Sequence, residues 1–145
     1  MNTYIHRVNY YETDKMGISH HSNYIRWMEE ARVDFLARSG YGLQRLETEG
    51  ITSPVVSVEC QYKRSTTFGD EIGIQVAVES YTGVKLTLTY VMKNLATGEV
   101  VLTARSSHCF IDAEGMPLAM KKHAPGFDAM LRRLVANTER TGAPE

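Results

Sequence analysis

The chain has 145 residues, of which 43% are hydrophobic and 23% are charged, a composition typical of globular proteins and unlike that of disordered ones. Because a chain of this length buries about two-thirds of its unfolded surface in one core, we expect a single domain. Its 16 basic and 17 acidic side chains nearly cancel, which excludes binding to nucleic acid or to an anionic membrane by net charge alone.

The amino-terminal residues lack the apolar core of a secretory signal, and the sequence has no run of about 20 apolar residues. We therefore expect a cytoplasmic protein. The two cysteines, Cys60 and Cys109, are too few for the disulfide framework of a small secreted protein, so we expect both to be reduced.

A strand and a long helix are predicted first. Residues 4–11 favour a strand, and from residue 24 apolar side chains recur at the 3.6-residue spacing of a helix of about four turns. The members of this apolar face are Tyr24, Trp27, Met28, Ala31, Phe35 and Leu36. Ser22 or Asn23 can cap the amino end of the helix, and the stretch SGYG supplies glycine where it ends. A shorter helix is predicted over residues 43–49.

Beyond residue 50 the hydrophobic period changes to two, which predicts strands. The predicted strands cover residues 56–62, 72–78, 84–92 and 100–110, and the stretches SYTGV and NLATGEV supply hairpin turns. An amphipathic segment at residues 127–135 predicts a terminal helix. The order of strand, long helix and consecutive antiparallel strands predicts an α+β fold, with the helix packed on one face of the sheet. We expect one domain over residues 1–137 and a polar, flexible tail over residues 138–145.

The most reactive side chains lie in the stretch YYETDKMGISHHSNYIRWMEEAR, residues 10–32, where a carboxylate, two adjacent histidines and several hydroxyl groups precede the long helix. Backbone N–H groups at the start of a helix are unpaired and carry the positive end of the helix dipole. Such groups can stabilise an oxyanion, and a nearby carboxylate can attack a carbonyl or deprotonate water.

This stretch resembles the signature of the hotdog-fold acyl-CoA thioesterases, in the branch of 4-hydroxybenzoyl-CoA thioesterase and the Tol-Pal-associated short-chain acyl-CoA thioesterases. The matching residues are Tyr10, Glu12-Thr13-Asp14, Gly17, His21, Asn23-Tyr24 and Glu30-Ala31-Arg32. A second stretch, YKRSTTFGDEI, resembles the family's next segment, although this branch often has proline where Ser65 stands. The resemblance covers roughly residues 7–112 and implies a hotdog fold, in which a curved antiparallel sheet wraps around one long central helix.

The resemblance implies that Asp14 is the catalytic carboxylate, acting either as the nucleophile or as the general base for water. From the residues alone, Asp14 also fits a turn aspartate that hydrogen-bonds its own backbone. The resemblance further implies that His21 orients the substrate or assists proton transfer, and that Tyr10 is a donor or a wall of the pocket. Adjacent histidines on a loop are also commonly solvated, and His20 is the weaker candidate of the two.

Four further residues are candidates for substrate binding. Tyr24 and Trp27 lie on the apolar face of the helix, so they fit both core packing and an acyl-binding site. Lys63 and Arg64 are candidates for the phosphates of CoA, because phosphates favour flexible ammonium groups or bidentate guanidinium groups at a rim. The weaker basic candidates are Arg105, Lys121 and Lys122.

The leading hypothesis is therefore hydrolysis of acyl-CoA to a free acid and CoA, with Asp14 driving the attack. We expect no organic cofactor and no metal, since Asp14, His20 and His21 lack the spacing of a metal motif. The expected partners are the acyl-CoA substrate and further copies of the chain, in a homodimer or homotetramer with active sites at the subunit interface. The alternatives are a hotdog hydratase or dehydratase of acyl thioesters, and an acyl-CoA-binding sensor without turnover.

Overall fold

A computed structural model describes residues 3–141 of the chain, and side-chain burial for residues 3–138. The elements are, in chain order, β1 (Tyr4–Arg7), a 3-10 turn (Tyr10–Glu12), α1 (Ser22–Arg38), α2 (Leu43–Thr48), β2 (Val55–Tyr62), β3 (Glu71–Tyr81), β4 (Lys85–Asn94), β5 (Val100–Cys109), α3 (Met120–His123) and α4 (Pro125–Thr141).

The five strands form one antiparallel sheet in the order β1-β3-β4-β5-β2. Strands β3, β4 and β5 pair as consecutive hairpins, with Val78 opposite Leu88 and Leu88 opposite Ser106. Strand β1 pairs with β3, and β2 pairs with β5, so β1 and β2 are the two edges of the sheet.

Helix α1 packs on the inner face of the sheet, because that contact removes its apolar stripe from water. Trp27, Met28 and Leu36 are at most 2% exposed and share one core cluster with Leu88 and Met92 of β4. Truncating a fully buried aromatic side chain such as Trp27 to alanine costs about 3–5 kcal/mol. The predicted α+β architecture is confirmed.

Helix α4 packs against β3 and contributes to the same core. Phe127 and Leu131 are 0% exposed, and the neighbouring Asp128 is buried as well. The Asp128 carboxylate accepts hydrogen bonds from the Tyr81 hydroxyl at 2.6 Å and from Arg132 Nε at 2.9 Å. The Tyr81 bond attaches α4 to β3, and the Arg132 bond, which lies within α4, helps to satisfy the buried carboxylate.

Two predictions at the start of the chain were wrong. Strand β1 ends at Arg7 instead of residue 11, because the chain turns where Glu12 Oε1 accepts the Asn9 backbone N–H at 2.8 Å. The N-cap of α1 is His21, with no side-chain capping bond, whereas both predicted caps lie inside the helix. The side chain of Asn23 donates instead to the carbonyl oxygen of Glu12 at 2.9 Å.

The terminal helix is longer than predicted. Helix α4 continues through residue 137, where we expected the domain to end, so residues 138–141 of the expected tail are helical. Residues 142–145 lie outside the described residues. Within residues 3–141, none of the helices combines the length and the apolar character needed to span a membrane.

Candidate active site

The loop between the 3-10 turn and α1, residues 13–21, is named the pre-helix loop. It closes on itself, with the Asp14 backbone N–H donating to the carbonyl oxygen of Ile18 at 2.9 Å. Gly17 has a φ of +80°, a conformation that residues with a Cβ rarely adopt, and its N–H donates to the carbonyl oxygen of Asp14 at 2.9 Å. The stretch DKMG therefore forms a tight turn that fixes the backbone of Asp14.

The side chain of Asp14 is partly exposed and is anchored at one oxygen. Oδ1 accepts the Met16 backbone N–H at 2.8 Å, which is the local turn interaction that the residues alone allowed. In the part of the chain that the structure describes, Oδ2 accepts no hydrogen bond. One carboxylate oxygen thus fixes the orientation of the group, and the other is available to a ligand.

A cavity of about 260 Å³ opens beside the start of α1. Its lining residues are Ile18, Ser19, His21, Tyr24, Tyr62, Lys63, Arg64 and Ser65. The cavity brings together four residues that sequence reasoning selected from distant parts of the chain, namely His21, Tyr24, Lys63 and Arg64. It joins the pre-helix loop, the first turn of α1 and the end of β2.

The backbone N–H groups where α1 begins differ in their hydrogen bonding. The Ser22 N–H donates to His20 Nδ1 at 3.2 Å, and the Asn23 N–H donates to the His20 carbonyl at 3.0 Å. The Tyr24 N–H donates to the His21 carbonyl at 3.3 Å. Within the described residues, the N–H of His21 itself has no protein acceptor. This unpaired N–H lies at the positive end of the helix dipole, where a ligand oxygen can accept it.

Tyr24 forms a wall of the cavity and is held from behind. Its side chain is 4% exposed, and its hydroxyl hydrogen-bonds to Thr66 Oγ1 at 3.0 Å. Thr66 is also buried and hydrogen-bonds to Ser19 Oγ at 2.6 Å. Burial raises the pKa of the Tyr24 phenol, which keeps it neutral. These bonds join the pre-helix loop to the segment that follows β2.

Lys63 and Arg64 have fixed backbones and exposed side chains. The backbone N–H groups of both residues donate to the carbonyl oxygen of Val101, at 2.9 and 3.1 Å. Arg64 Nη2 lies 3.1 Å from Glu99 Oε2 in an exposed ion pair, which contributes at most about 1 kcal/mol. The guanidinium can therefore exchange Glu99 for another anion at little cost. The cavity lining does not include the weaker basic candidates Arg105, Lys121 and Lys122.

Three predicted site residues lie outside the cavity lining. Asp14 lies on the pre-helix loop, before the lining residues Ile18 and Ser19. Tyr10 is 76% exposed and packs edge-on against Phe68, with ring centroids 5.7 Å apart. Trp27 is 0% exposed and lies in the core, so its side chain is not part of the cavity wall.

Sequence reasoning missed Glu12, whose side chain is 5% exposed. Its carboxylate accepts hydrogen bonds from the Asn9 backbone N–H and from Trp27 Nε1, each at 2.8 Å, and lies 2.9 Å from His6 Nε2. Burial alone would raise the pKa of Glu12, but the bonds from Asn9, Trp27 and His6 outweigh it and hold that pKa below its ordinary value. Its place in the matched motif and its spacing of three residues from Asn9, which forms a capping box, were signals, whereas its bond from Trp27 depends on the tertiary fold.

The remaining reactive side chains give no second centre at this cavity. His20 is exposed and hydrogen-bonds through Nδ1 to Ser22 Oγ at 2.8 Å. Cys60 and Cys109 are free thiols, and burial raises the pKa of Cys60, which disfavours the nucleophilic thiolate. Among the described side chains, no group of three or more His, Cys, Asp or Glu could hold a metal ion.

A larger cavity, of about 420 Å³, lies between α1, α4 and the sheet. It is lined by Tyr4, Ala31, Asp34, Phe35, Arg38, Ser39, Ile74, Val76, Leu134 and Asn137. None of the candidate site residues lines it, and its ionisable rim pair, Asp34 and Arg38, is joined by a hydrogen bond of 3.1 Å. The smaller cavity is therefore the better candidate for the active site.

The fold defines a class of protein. A five-stranded antiparallel sheet packed on one long helix is the arrangement that the resemblance implied for the hotdog fold. The family model of the thioesterase-like superfamily matches residues 8–134. The chain belongs to the thioesterase-like superfamily, and the family predicted from the motif is confirmed.

Individual proteins agree with this assignment. The chain is 36% identical over 119 residues to "Putative acyl-CoA thioesterase YneP" of Bacillus subtilis (strain 168), covering 81% of this chain and 86% of that protein. It is 29% identical over 83 residues to "Acyl-CoA thioester hydrolase YbgC" of Escherichia coli O157:H7, covering 57% of this chain and 62% of that protein. The solved structure of DHNA-CoA thioesterase from Staphylococcus aureus matches with a TM-score of 0.92 at 26% identity, covering 99% of this chain and 96% of that one. The hotdog fold is confirmed, and the class is that of thioester hydrolases.

Proposed function

We propose that the protein hydrolyses the thioester bond of acyl-CoA, giving a free acid and CoA. The observation that carries the proposal is the pre-helix loop, which holds the available Asp14 oxygen and the unpaired His21 N–H within one short, closed segment. This loop borders a cavity with two basic side chains in its lining. The names of both sequence relatives support acyl-CoA as the substrate class.

The proposed chemistry divides between the carboxylate and the amide. The thioester oxygen accepts the His21 N–H, and the helix dipole adds to the stabilisation of negative charge on that oxygen in the tetrahedral intermediate. Asp14 then acts in one of two ways. As a general base it takes a proton from the attacking water; as a nucleophile it forms an acyl-aspartyl anhydride that water hydrolyses. In both routes the C–S bond breaks and the departing thiolate takes up a proton.

The basic side chains suit the other end of the substrate. We assign Lys63 and Arg64 to the phosphates of CoA, because both are exposed next to the cavity and Arg64 is held by a single exposed ion pair. The imidazole of His21 is exposed in the same lining and is proposed to orient the thioester. Tyr10 lies outside this cavity, so its role as a donor or a wall of the pocket stays a prediction from the resemblance.

The proposed active form contains at least two chains. Strand β2 pairs with β5 on one side, and its other side is an unpaired edge that carries exposed Val55, Val56 and Val58. An exposed apolar edge strand is a surface that a second chain can cover. We expect light scattering in dilute solution to give a dimer or a tetramer, and a monomer with full activity would contradict this part of the proposal.

The test of the proposed function is turnover of a panel of acyl-CoA thioesters, followed by release of the free thiol. We expect at least one aromatic or short aliphatic acyl-CoA to be hydrolysed, with catalytic amounts of the protein giving many turnovers. Calorimetric titration with the same thioesters measures their binding separately from their turnover. Tight binding with no release of thiol would overturn the proposal and would indicate a sensor.

A further inference from the structure

We propose that Glu12 is a positioning residue, which holds the carboxylate of Asp14 and the N–H of His21 in the arrangement that the reaction needs. This inference rests on the proposed function. Glu12 is 5% exposed and does not line the cavity, so it acts through its neighbours and not on the substrate.

The backbone of Glu12 joins the two halves of the site. Its carbonyl oxygen accepts the His20 N–H at 2.8 Å and Asn23 Nδ2 at 2.9 Å. Glu12 is two residues before Asp14, and His20 is directly before His21. A shift of this carbonyl therefore moves the carboxylate and the unpaired amide relative to each other.

The side chain of Glu12 fixes that carbonyl against the rest of the fold. The carboxylate is bonded on one oxygen to the Asn9 N–H and to His6 of β1, and on the other to the indole of Trp27 in α1. The carboxylate is thus held by β1, by α1 and by Asn9 at the start of its own turn. The distances of 2.8 to 2.9 Å lie within the range of well-formed N–H···O hydrogen bonds.

Glu30 adds a second carboxylate to the hydrogen bonds around Glu12. His6 Nδ1 lies 3.0 Å from Glu30 Oε1, and the Tyr4 hydroxyl donates to the same oxygen at 2.9 Å. The His6 ring also stacks on Trp27, with centroids 4.5 Å apart. The cluster therefore joins the edge strand β1, the central helix and the base of the pre-helix loop.

The chemistry of this cluster argues for a role beyond stability. Burying an ionised carboxylate requires several good donors, and well-packed apolar residues of similar volume are often at least as stabilising. The carboxylate fixes the orientation of Glu12 relative to its neighbours, because each oxygen accepts hydrogen bonds only from donors that point at it. A fixed orientation is what a reaction site needs, because a misplacement of about 1 Å can cost 100-fold in rate.

The primary test is Glu12→Gln, which preserves shape but replaces one acceptor oxygen with a donor. In either orientation the amide points its N–H at another N–H, that of Trp27 or that of Asn9. We expect kcat to fall roughly 10- to 100-fold, with KM within about twofold of wild type, because the cavity contacts to the substrate are retained. Glu47→Gln, at an exposed glutamate of α2, is the matched control and should leave both constants unchanged.

A rescue experiment separates positioning from general damage. Trp27→Phe removes the indole donor, so in Glu12→Gln/Trp27→Phe the glutamine amide no longer meets an N–H at that side. We expect the double variant to have a higher kcat than Glu12→Gln alone. If general damage, and not the meeting of two N–H groups, caused the loss, the double variant would be no more active than Glu12→Gln alone.

A spectroscopic readout reports the contact directly. Trp27 is the only tryptophan in the sequence, so its indole N–H gives one resonance in a ¹H–¹⁵N spectrum. Glu12→Gln should shift that resonance, because the charged acceptor at 2.8 Å is lost. Asp14→Asn should leave it in place, although it removes the proposed catalytic charge.

The outcomes distinguish this inference from the proposed function. Wild-type kcat in folded Glu12→Gln, together with a large loss in Asp14→Asn, would overturn the positioning role and leave the proposed function intact. Wild-type turnover in Asp14→Asn would overturn the assignment of Asp14 and this inference with it. If Glu12→Gln does not fold, Trp27→Phe alone serves as the test: a fall in kcat of about threefold or more at constant KM supports the proposal, and unchanged kcat overturns it.

Discussion

Two buried polar clusters lie beside α1, and they differ in charge. The Glu12 cluster consists of Glu12, His6, Asn9 and Trp27. The sheet cluster is a chain of hydrogen bonds formed by Arg32, Tyr90, Ser106 and His108. In the first, N–H donors keep a buried carboxylate ionised. In the second, burial and then the charge of Arg32 lower the pKa of His108 from 6.5 to about 4, so the ring is neutral at physiological pH.

The difference shows how a polar cluster becomes a functional site. Ser106 Oγ lies 2.8 Å from His108 Nε2, which is the spacing of a nucleophile and its base. Yet Ser106 and His108 are 0% and 1% exposed, so no substrate reaches them. Glu12 and His6 are buried as well, at 5% and 8% exposure, but the chain continues from Glu12 into a loop with a partly exposed carboxylate, Asp14. Access to solvent, and not the pairing of reactive groups, separates the two.

The largest effect is expected for Asp14→Asn, which should lower kcat roughly 100- to 10,000-fold, the range for a positioned base or nucleophile. Asparagine keeps the shape and the hydrogen bond from the Met16 N–H, so the melting temperature should stay near that of wild type. Steady-state kinetics with an acyl-CoA identified from the panel measures the change.

The matched variant in the other cluster is Ser106→Ala. It should cost about 1–3 kcal/mol of stability through lost buried hydrogen bonds, yet leave kcat per folded molecule unchanged. If Ser106→Ala abolished turnover while Asp14→Asn retained it, the roles of the two clusters would be reversed.

The next largest effect is a loss of stability in acid that depends on His108. Its pKa is about 4 when folded and 6.5 when unfolded, so below pH 6.5 the unfolded chain binds the proton first. The neutral ring thus stabilises the fold above pH 6.5, and about 3 kcal/mol of that stability is lost as the pH falls to 4. Urea unfolding at both pH values measures the loss, and His108→Gln should have a shallower pH dependence. Equal slopes for the two proteins would contradict a neutral buried ring.

A smaller effect is expected from Lys63→Ala/Arg64→Ala. Phosphate contacts form in the ground state and the transition state alike, so KM for acyl-CoA should rise on the order of tenfold with little change in kcat. The control substrate is an acyl thioester of a short thiol without phosphates, for which KM should not change. An unchanged KM for the CoA ester would move the phosphate site elsewhere.

The smallest effect is expected for Glu99→Gln, which removes the exposed partner of Arg64. Stability should change by less than about 0.5 kcal/mol, because the ion pair is exposed. Release of Arg64 should leave KM for acyl-CoA the same or slightly lower. A loss above 1 kcal/mol in thermal unfolding would show that this surface pair resembles the buried clusters in strength.

The sequence predicted the helices and strands that bury apolar side chains at regular spacing. The apolar face that includes Trp27 and Leu36 repeats every 3.6 residues, and β4 alternates, so both followed from pattern. The end of β1 is set by a capping box in which the Glu12 carboxylate accepts the Asn9 N–H, a local pattern that sequence reasoning missed. The cap at His21 did not follow from pattern, because the side chain of the predicted cap Asn23 donates instead to the Glu12 carbonyl.

The candidate site was predictable in part for the same reason. The motif selected His21, the helical pattern selected Tyr24, and the chemistry of phosphate binding selected Lys63 and Arg64. The fold brings all four to one cavity. The bond between Glu12 and the Trp27 indole joins residues on two different elements. A helical pattern cannot distinguish Trp27 in the core from Trp27 in a pocket wall. Sequence reasoning finds residue types and spacing, whereas hydrogen-bond partners across the fold require the structure.

The pairing of β2 with β5 also has a consequence for the nascent chain. β2 ends at Tyr62, and its partner begins only at Val100. At about 5 to 20 residues per second, the ribosome takes seconds to deliver β5 after β2 has been made. During that interval the valines of β2 have neither their partner strand nor a second chain beside them. We expect this interval to be the stage of synthesis at which the protein most needs a chaperone.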